Sequence, residues 1–188
     1  MSYLFGMTLI ETDRLIISHL SIEDAAFIMK LVNTPGWLQY IGDRNVKSVD
    51  DGRRYLENGP LKSYAQWGFG LFRIALKNTN TAIGICGLIK RDGLNDIDLG
   101  FALLPAYGGK GYAYEAAEAV LRYAQNQLHL HRLVAITLVD NAASLKLLQK
   151  LGFRFERMVR LENEDLALLG IELGNNRAKE VTNVIGPT

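Results

Sequence analysis

The sequence predicts an α/β (α+β) domain built on a mixed, mostly antiparallel central sheet of about seven strands, with helices on both faces. Three apolar segments between residues 68 and 104 are joined by short turns at 78–80 and 92–95, which is typical of antiparallel hairpins. Four other segments show helix-start signals or helical spacing of apolar residues, and they lie before and after these strands. Such helices are expected to cover the sheet.

The first third of the chain is predicted to form one strand and two helices. Residues 8–19 are rich in leucine and β-branched side chains, which favours a strand. The segments 21–32 and 48–60 each open with Ser followed three residues later by Asp, which is the spacing of a capping box, and each predicts a helix. Residues 33–47 contain Pro35 and two glycines, so we expect a loop there.

The rest of the chain alternates between strands and helices. The predicted strands are 68–77, 82–91, 97–104, 132–139, 153–162 and 166–173. Helical spacing of apolar residues predicts helices over 111–127 and 142–151. No linker or repeat interrupts this order, so residues 1–173 are predicted to form a single domain. The polar segment 174–188 is expected to be a disordered C-terminal tail.

Composition and charge narrow the classes of function. The chain has 21 Lys and Arg against 20 Asp and Glu, which argues against a nucleic-acid-binding surface. No apolar run approaches the roughly 20 residues that span a bilayer, and the first residues lack the features of a signal peptide. The single cysteine, Cys86, excludes internal disulfides, and the three histidines lack metal-ligand spacing. We therefore expect a cytoplasmic protein without a metal or membrane association, as a monomer or homodimer.

A glycine-rich turn between a predicted strand and a predicted helix is the most informative segment. Residues 104–113 read LPAYGGKGYA, with three glycines within four residues. Glycine allows backbone amides to approach a ligand closely, and the first amides of a helix have no partner within that helix. A diphosphate would suit this turn, although a glycine turn without a ligand is the alternative. The segment fits neither the P-loop pattern, because Gly111 follows Lys110, nor the GxGxxG fingerprint, because of Tyr114.

A second polar constellation lies at the start of the last predicted helix. Asn141 is placed where a strand ends, and Ser144 follows about one helical turn later, so the two side chains are expected to be neighbours. The Asn141 side chain can both donate and accept hydrogen bonds. The alternative is a structural role, in which Asp140 or Asn141 caps the helix and Ser144 is merely exposed.

Together these segments resemble the GNAT superfamily of N-acetyltransferases, and the branch of ribosomal-protein N-terminal acetyltransferases most closely. The motifs that carry the resemblance are ETDRL (11–15), IGICGL (83–88), DLGF (98–101), GKGYAYEA (109–116), NAAS (141–144) and KLGF (150–153). The resemblance implies the GNAT fold and an acyltransferase that moves an acetyl group from acetyl-CoA to a primary amine by direct attack in a ternary complex. It favours a protein N-terminal α-amine as the acceptor. A polyamine, an aminoglycoside or a non-catalytic role as an acyl-CoA sensor remain alternatives.

The resemblance also implies where the coenzyme binds. In this family a strand separates from its neighbour, and its free backbone groups, here those of Phe101, Ala102 and Leu103, would pair with the pantetheine arm. Asn141 and Ser144 would reach the thioester end. The backbone amides implied to hold the pyrophosphate are those of Gly108, Gly109, Lys110, Gly111, Tyr112 and Ala113.

Two positions depart from the family pattern. Ala106 stands where many members have Gln or Arg, but backbone amides carry most of the phosphate binding. Leu148 stands where many members have a tyrosine that protonates the leaving thiolate. This second departure moves attention to Ser144 as the proton donor.

The amine must lose a proton before it can attack a thioester, so a base is required. Asp98 is the leading candidate, because it is predicted on the strand beside the thioester, on the same face as Gly100 and Ala102. An exposed aspartate near a turn is the alternative. Glu162 and Glu164 are secondary candidates on the late strands.

The acceptor amine is expected to bind near the segment that follows the first helix. Trp37 and Tyr40 are candidates for the walls of this substrate site, with ordinary packing as the alternative. The segment 37–47 has only Asp43 against Arg44 and Lys47, which disfavours a cationic acceptor. No covalent intermediate is expected, because Cys86 lies in an apolar strand and should be buried.

Overall fold

A computed structural model of the chain describes residues 8–161 and 163–174. Within this part of the chain, one mixed sheet is flanked by helices. The strands are β1 (Thr8–Glu11), β2 (Leu15–His19), β3 (Leu71–Leu76), β4 (Ala82–Ile89), β5 (Asp98–Leu103), β6 (Arg132–Thr137), β7 (Arg154–Leu161) and β8 (Glu164–Glu172). The α-helices are α1 (Ala25–Val32), α2 (Pro35–Tyr40), α3 (Val49–Leu56), α4 (Lys62–Trp67), α5 (Tyr112–Asn126) and α6 (Ala142–Lys150).

The sheet confirms the predicted fold class. Its strands follow the order β1-β2-β3-β4-β5-β6-β8-β7, and all neighbours are antiparallel except β5 and β6, which are parallel. The early and late strands are therefore joined by one parallel contact in the middle of the sheet. The prediction of a domain over 1–173 and a tail over 174–188 stays a prediction, because residues 1–7 and 175–188 lie outside the described part of the chain.

Each face of the sheet is covered by its own helices. Helices α5 and α6 pack on one face through residues such as Val120 and Leu148. Helices α1 to α3 cover the other face with a second buried cluster, in which Ile28, Leu56 and Trp37 meet Ile85 of β4. The predicted helices on both faces are thus present.

The predicted first strand is in fact a hairpin, which raises the strand count from seven to eight. Residues 12–14 form a turn in which the Thr12 amide donates to the Leu15 carbonyl oxygen at 3.0 Å. Strand β1 then pairs with β2 in antiparallel fashion. The apolar pattern of residues 8–19 hid this break, because only the four polar residues ETDR (11–14) interrupt it.

The predicted loop and helix end in the segment 33–67 are also corrected. Residues 35–40 form helix α2, with Pro35 at its first position, where the missing proline N–H costs no hydrogen bond. Pro60 does not end the second helix. A π-helical turn, Glu57–Leu61, carries the chain past this proline into α4, and the helix stops only at Gly68.

The capping box that opens α3 is confirmed at atomic detail. The Asp51 amide donates to the Ser48 hydroxyl at 3.1 Å, and the Ser48 amide donates to the Asp51 carboxylate at 2.8 Å. One turn later, the buried Gly52 allows α3 to approach α1 closely. A Cβ atom added at Gly52 would lie 2.5 Å from the Ala25 carbonyl oxygen.

This close helix contact predicts that Gly52→Ala destabilises the fold although alanine is the better helix former. The clash with Ala25 should lower the free energy of unfolding by about 1–3 kcal/mol. Gly59→Ala is the matched control, because a Cβ atom there would meet nothing within 4 Å. It should be neutral or stabilising by up to about 1 kcal/mol. Urea unfolding of both variants measures the difference, and equal stability would contradict the close packing.

Candidate functional site

The sheet opens into a fork between β5 and β6. A single bridge, Asp98 opposite Val134, joins the two strands, and the Val134 amide donates to the Ile97 carbonyl oxygen at 3.0 Å. Beyond this bridge the strands part, whereas β5 stays paired with β4 along its whole length. Half of the backbone groups of β5 therefore face a gap instead of a neighbouring strand.

The pairing with β4 determines which backbone groups are free. Leu104 donates its amide to the Ile83 carbonyl oxygen at 2.8 Å, and this bond fixes the alternation along β5. The backbone groups of Ala102 therefore point towards β4. Those of Phe101 and Leu103 point into the fork. For every two residues, β5 thus exposes one backbone N–H donor and one backbone carbonyl acceptor to the gap between β5 and β6.

Asp98 lies at the apex of the fork. Its side chain is almost fully buried and accepts a hydrogen bond from Arg91 Nε at 2.6 Å. Its other oxygen accepts the Ile136 amide at 3.3 Å, just past the last bridge to β6. Burial raises the pKa of Asp98, although the charge and hydrogen bond of Arg91 oppose the shift. The alternative of an exposed aspartate near a turn is therefore not observed, because the carboxylate is buried in the lining of the cavity.

The glycine turn presents a row of free amide donors. Gly109 and Gly111 have φ values of 71° and 81°, a left-handed conformation that favours glycine. Within residues 8–161 and 163–174, the backbone amides of residues 109–114 have no protein acceptor, and the first helical bond is made by Glu115. Since a Cβ atom at Gly109 would meet nothing within 4 Å, the turn is open on its outer side. Six donors at the start of α5 are left for a ligand.

A network from the β1–β2 turn braces this row of amides. Glu115, in the first turn of α5, accepts hydrogen bonds from the Thr12 hydroxyl at 2.6 Å, the Arg14 amide at 3.0 Å and Arg14 Nε at 2.6 Å. Arg14 Nη1 also donates to the Lys110 carbonyl oxygen at 3.0 Å. The guanidinium group stacks on the Tyr112 ring, 4.5 Å from its centroid. The carbonyl oxygens of Lys110 and Gly111 thus accept hydrogen bonds from protein, whereas the amides of residues 109–114 have no acceptor in the described part of the chain.

The predicted polar pair at the start of α6 serves the fold as well as the site. Asn141 Oδ1 accepts the Ser144 amide at 3.1 Å, so Asn141 is the N-cap of this helix. Both side chains are partly buried and line the same cavity as the fork. Leu148, one turn further on, is fully buried in the core.

One cavity of about 1270 Å³ connects all of these features. It runs from the glycine turn along the fork and the start of α6 to the aromatic side chains of α2. The sequence-predicted site residues that line it are Trp37, Tyr40, Asp98, Phe101, Ala102, Leu103, Gly108, Gly109, Gly111, Tyr112, Ala113, Asn141 and Ser144. Lys110 does not, because its ammonium group turns back to the Ala106 carbonyl oxygen at 2.9 Å. The amide of Gly108 already donates to the Pro105 carbonyl oxygen at 3.1 Å.

Several cavity residues were missed from the sequence. Arg91 and Tyr55 line the cavity near the α2 end, and neither belongs to a recognisable motif. The hairpin register, with Ile89 opposite Asp98, is the signal that would have placed Arg91 beside that aspartate. Of the secondary base candidates, Glu164 is exposed at the start of β8, and Glu162 lies outside the described residues.

The described residues offer neither a metal cluster nor a membrane span. No group of three or more His, Cys, Asp and Glu side chains in this part of the chain is arranged to hold a metal ion. None of its helices is both long enough and apolar enough to cross a bilayer. The predictions about nucleic acid, compartment and oligomeric state stay predictions.

Comparison with known sequences identifies relatives of this arrangement. A family model described as an acetyltransferase (GNAT) domain matches residues 14–154. The chain is 26% identical to the uncharacterised N-acetyltransferase YnaD of Bacillus subtilis, over 78% of this chain and 83% of that protein. It is 33% identical to the ribosomal protein uS5-alanine N-acetyltransferase of Escherichia coli, over 47% of this chain and 45% of that protein.

Solved structures share the fold. A GNAT-family acetyltransferase from Bacillus anthracis superposes with a TM-score of 0.73 at 26% identity, covering 89% of this chain and 99% of that one. A ribosomal-protein acetyltransferase, RimL, solved in complex with coenzyme A, gives 0.76 at 17% identity over 88% and 98%. The spermidine N-acetyltransferase SpeG of Vibrio cholerae gives 0.68 at 20% identity over 86% and 95%.

The Glu115 network generates a prediction about pH. Burial alone would raise the pKa of Glu115, but hydrogen bonds from Thr12 and Arg14 outweigh it and lower the pKa. The network should therefore stabilise the fold at neutral pH, and this contribution is lost as the pH falls below the ordinary glutamate value of about 4.3. Glu115→Gln should lower the free energy of unfolding by about 1–2 kcal/mol at neutral pH, discounted for the half-exposed Arg14.

The gap between Glu115→Gln and the wild type should close in acid, as measured by urea unfolding across the pH range. Glu118→Gln is the control, because Glu118 forms an ion pair with Arg122 on the exposed side of the same helix. A gap of constant size at all pH values would show that the charge of Glu115 does not stabilise the turn.

Proposed function

This chain belongs to the GNAT acetyltransferase family, and on that basis we propose that it transfers an acetyl group from acetyl-CoA to a protein N-terminal α-amine by direct attack in a ternary complex. One observation carries the proposal: a single cavity joins the free amides of the glycine turn, the open fork and the aromatic wall of α2. Such a cavity can hold an extended coenzyme at one end and an amine at the other.

The glycine turn fits the diphosphate of acetyl-CoA. Its six amides have no acceptor among the described residues, and the start of α5 adds the positive end of a helix dipole. Phe101 and Leu103 offer backbone donors and acceptors along the fork, where the amides of a pantetheine arm would pair. When bound, acetyl-CoA supplies the activated thioester. The role of this chain is to orient that group and to manage protons around it.

Two polar side chains are proposed to manage these protons. Asp98 accepts the proton of the amine, through a water molecule, because both carboxylate oxygens already accept hydrogen bonds from protein. Its raised pKa brings it closer to a useful value for a base. Ser144 lines the cavity, and we propose that its hydroxyl supplies a hydrogen bond to the departing thiolate.

Direct attack is favoured over a covalent acetyl-enzyme. Cys86 is the only cysteine in the sequence, and it is fully buried in β4. Burial raises the pKa of its thiol, so the nucleophilic thiolate is disfavoured. It also does not line the cavity.

The choice of acceptor is based on the side chains that line the α2 end of the cavity and on the name of one relative. Trp37 and Tyr40 line this end, and Asp98 is the only acid in the lining of the cavity within the described residues. A polyamine site would need several uncompensated carboxylates. The uS5 enzyme, which matches about half of this chain, is named for acting on an alanine of a ribosomal protein. The structural similarity to SpeG shows a shared fold. Because SpeG is named a spermidine N-acetyltransferase, spermidine is included among the acceptors to be tested.

A panel of acceptors with detection of released thiol tests this function. We expect turnover with peptides that have a free N-terminus, and none with N-terminally blocked copies, spermidine or an aminoglycoside.

Gly109→Asp places a carboxylate in the open turn and should weaken coenzyme A binding more than tenfold, measured by calorimetry. Gly109→Ala is the matched control for backbone strain. Binding of acetyl-CoA without thiol release from any amine would instead support an acyl-CoA sensor.

The proposed base generates a second prediction for turnover. Asp98→Asn keeps the shape of the side chain but removes its charge, so kcat should fall by about 10²–10⁴ while coenzyme A binding persists. The acidic limb of the pH profile of kcat/KM should disappear as well. If coenzyme affinity and thermal stability collapse together with kcat, Asp98 is needed to position the fork and is not the base.

A further inference from the structure

We infer that Arg44 and Arg91 form an anion-binding pair at the α2 end of the cavity, which selects acceptor peptides that carry acidic side chains directly after the N-terminal residue. This inference rests on the proposed function and names its class of substrate. Arg44 follows α2, and Arg91 follows β4, so two separate elements contribute guanidinium groups to the lining of the same cavity.

The charge of the cavity wall is strongly positive. Within the described residues, its charged lining side chains are Arg44, Lys62, Lys90, Arg91, Lys146 and Asp98. The only acid among them is buried and is already paired with Arg91. A cationic acceptor would therefore meet repulsion, whereas an anionic group would be attracted.

Nearby acids do not neutralise Arg44. Asp43 forms its ion pair with Lys47 at 3.0 Å, and among residues 8–161 and 163–174 Arg44 donates only to the Ile41 carbonyl oxygen, at 3.3 Å. Arg91 contacts Asp98 through Nε. Its two terminal nitrogens donate no hydrogen bond to a carboxylate in the described part of the chain. Both guanidinium groups keep donors available for a ligand.

Two further groups at this end favour an oxygen-rich ligand. Trp37 is 5% exposed, and its indole N–H has no acceptor within the residues that the structure describes. Tyr55 is partly buried, and burial raises its pKa while the charges of Arg44 and Arg91 oppose the rise. The wall is thus rich in donors, and carboxylates would satisfy them.

The rim of the cavity fits a polypeptide better than a small acid. Ile41 and Trp67 line the cavity and are 37% and 47% exposed. Such apolar side chains at the mouth give contact area to the residues that follow the N-terminus. The amine would then lie near Asp98, with acidic side chains at Arg44 and Arg91.

Three matched peptides test the inference: an N-terminal serine followed by two glutamates, two glutamines or two lysines, with identical remaining residues. We expect kcat/KM to be about tenfold higher for the glutamate peptide than for the lysine peptide at low ionic strength. The preference should shrink as salt is added. Equal or faster turnover of the lysine peptide would overturn the inference.

Arg44→Gln should bring the ratio of kcat/KM between the glutamate and glutamine peptides close to one. Arg53→Gln is the matched control, because Arg53 is an exposed arginine of α3 that pairs with Asp50 and does not line the cavity; it should keep the ratio of the wild type. An unchanged ratio in Arg44→Gln would overturn the inference.

The outcomes also separate this inference from the proposed function. Turnover of all three peptides at one rate overturns the acidic preference alone. Turnover of no peptide, with acetylation of spermidine, overturns the N-terminal acceptor and the acidic preference together. Free glutamate acetylated as fast as the glutamate peptide would overturn the polypeptide nature of the acceptor.

Discussion

The parting of β5 from β6 after the single Asp98–Val134 bridge is the constraint on which the rest of the cavity depends. Backbone donors and acceptors inside a sheet need partners, and a strand that loses its neighbour must find others. The backbone groups of Phe101 and Leu103 that face β6 have no hydrogen-bond partner among the described residues. The sheet can leave it open because β5 remains fully paired with β4 on its other edge.

Buried charge and a distant turn hold this opening in shape. Asp98 accepts the Ile136 amide, so the first backbone donor of β6 beyond the bridge pairs with this side chain and not with the backbone of β5. Arg91 compensates the buried carboxylate. At the other end, Glu115 and Arg14, which are 101 residues apart in the chain, connect the β1–β2 turn to the start of α5. This long-range contact orients the glycine turn. The two ends of the cavity are fixed by different side chains.

The sequence predicted the local features of this site, because they depend on short-range chemistry. Capping residues, glycines with left-handed backbone and hairpin turns act within a few residues, so the turn at Gly109 and the cap at Asn141 were visible. Pro60 misled the prediction, since a π-helical turn accommodates a proline that an α-helix would not. The pairing of Arg91 with Asp98 and the bracing by Thr12 were not predicted, because they depend on strand register and on packing between remote segments. The roles of these residues in turnover stay proposals.

The widened turn at Glu57–Leu61 has a consequence for how this enzyme could diverge. A π-helical turn corresponds to one additional residue in a helix, and each residue rotates the remainder of that helix by about 100°. Lys62, Ser63 and Trp67 of α4 therefore owe their direction into the cavity to that single insertion. A deletion there would turn a different set of side chains inward while the sheet and the glycine turn kept their geometry. The side chains at this end of the cavity can thus be exchanged by rephasing one helix, without a change in the sheet or in the glycine turn.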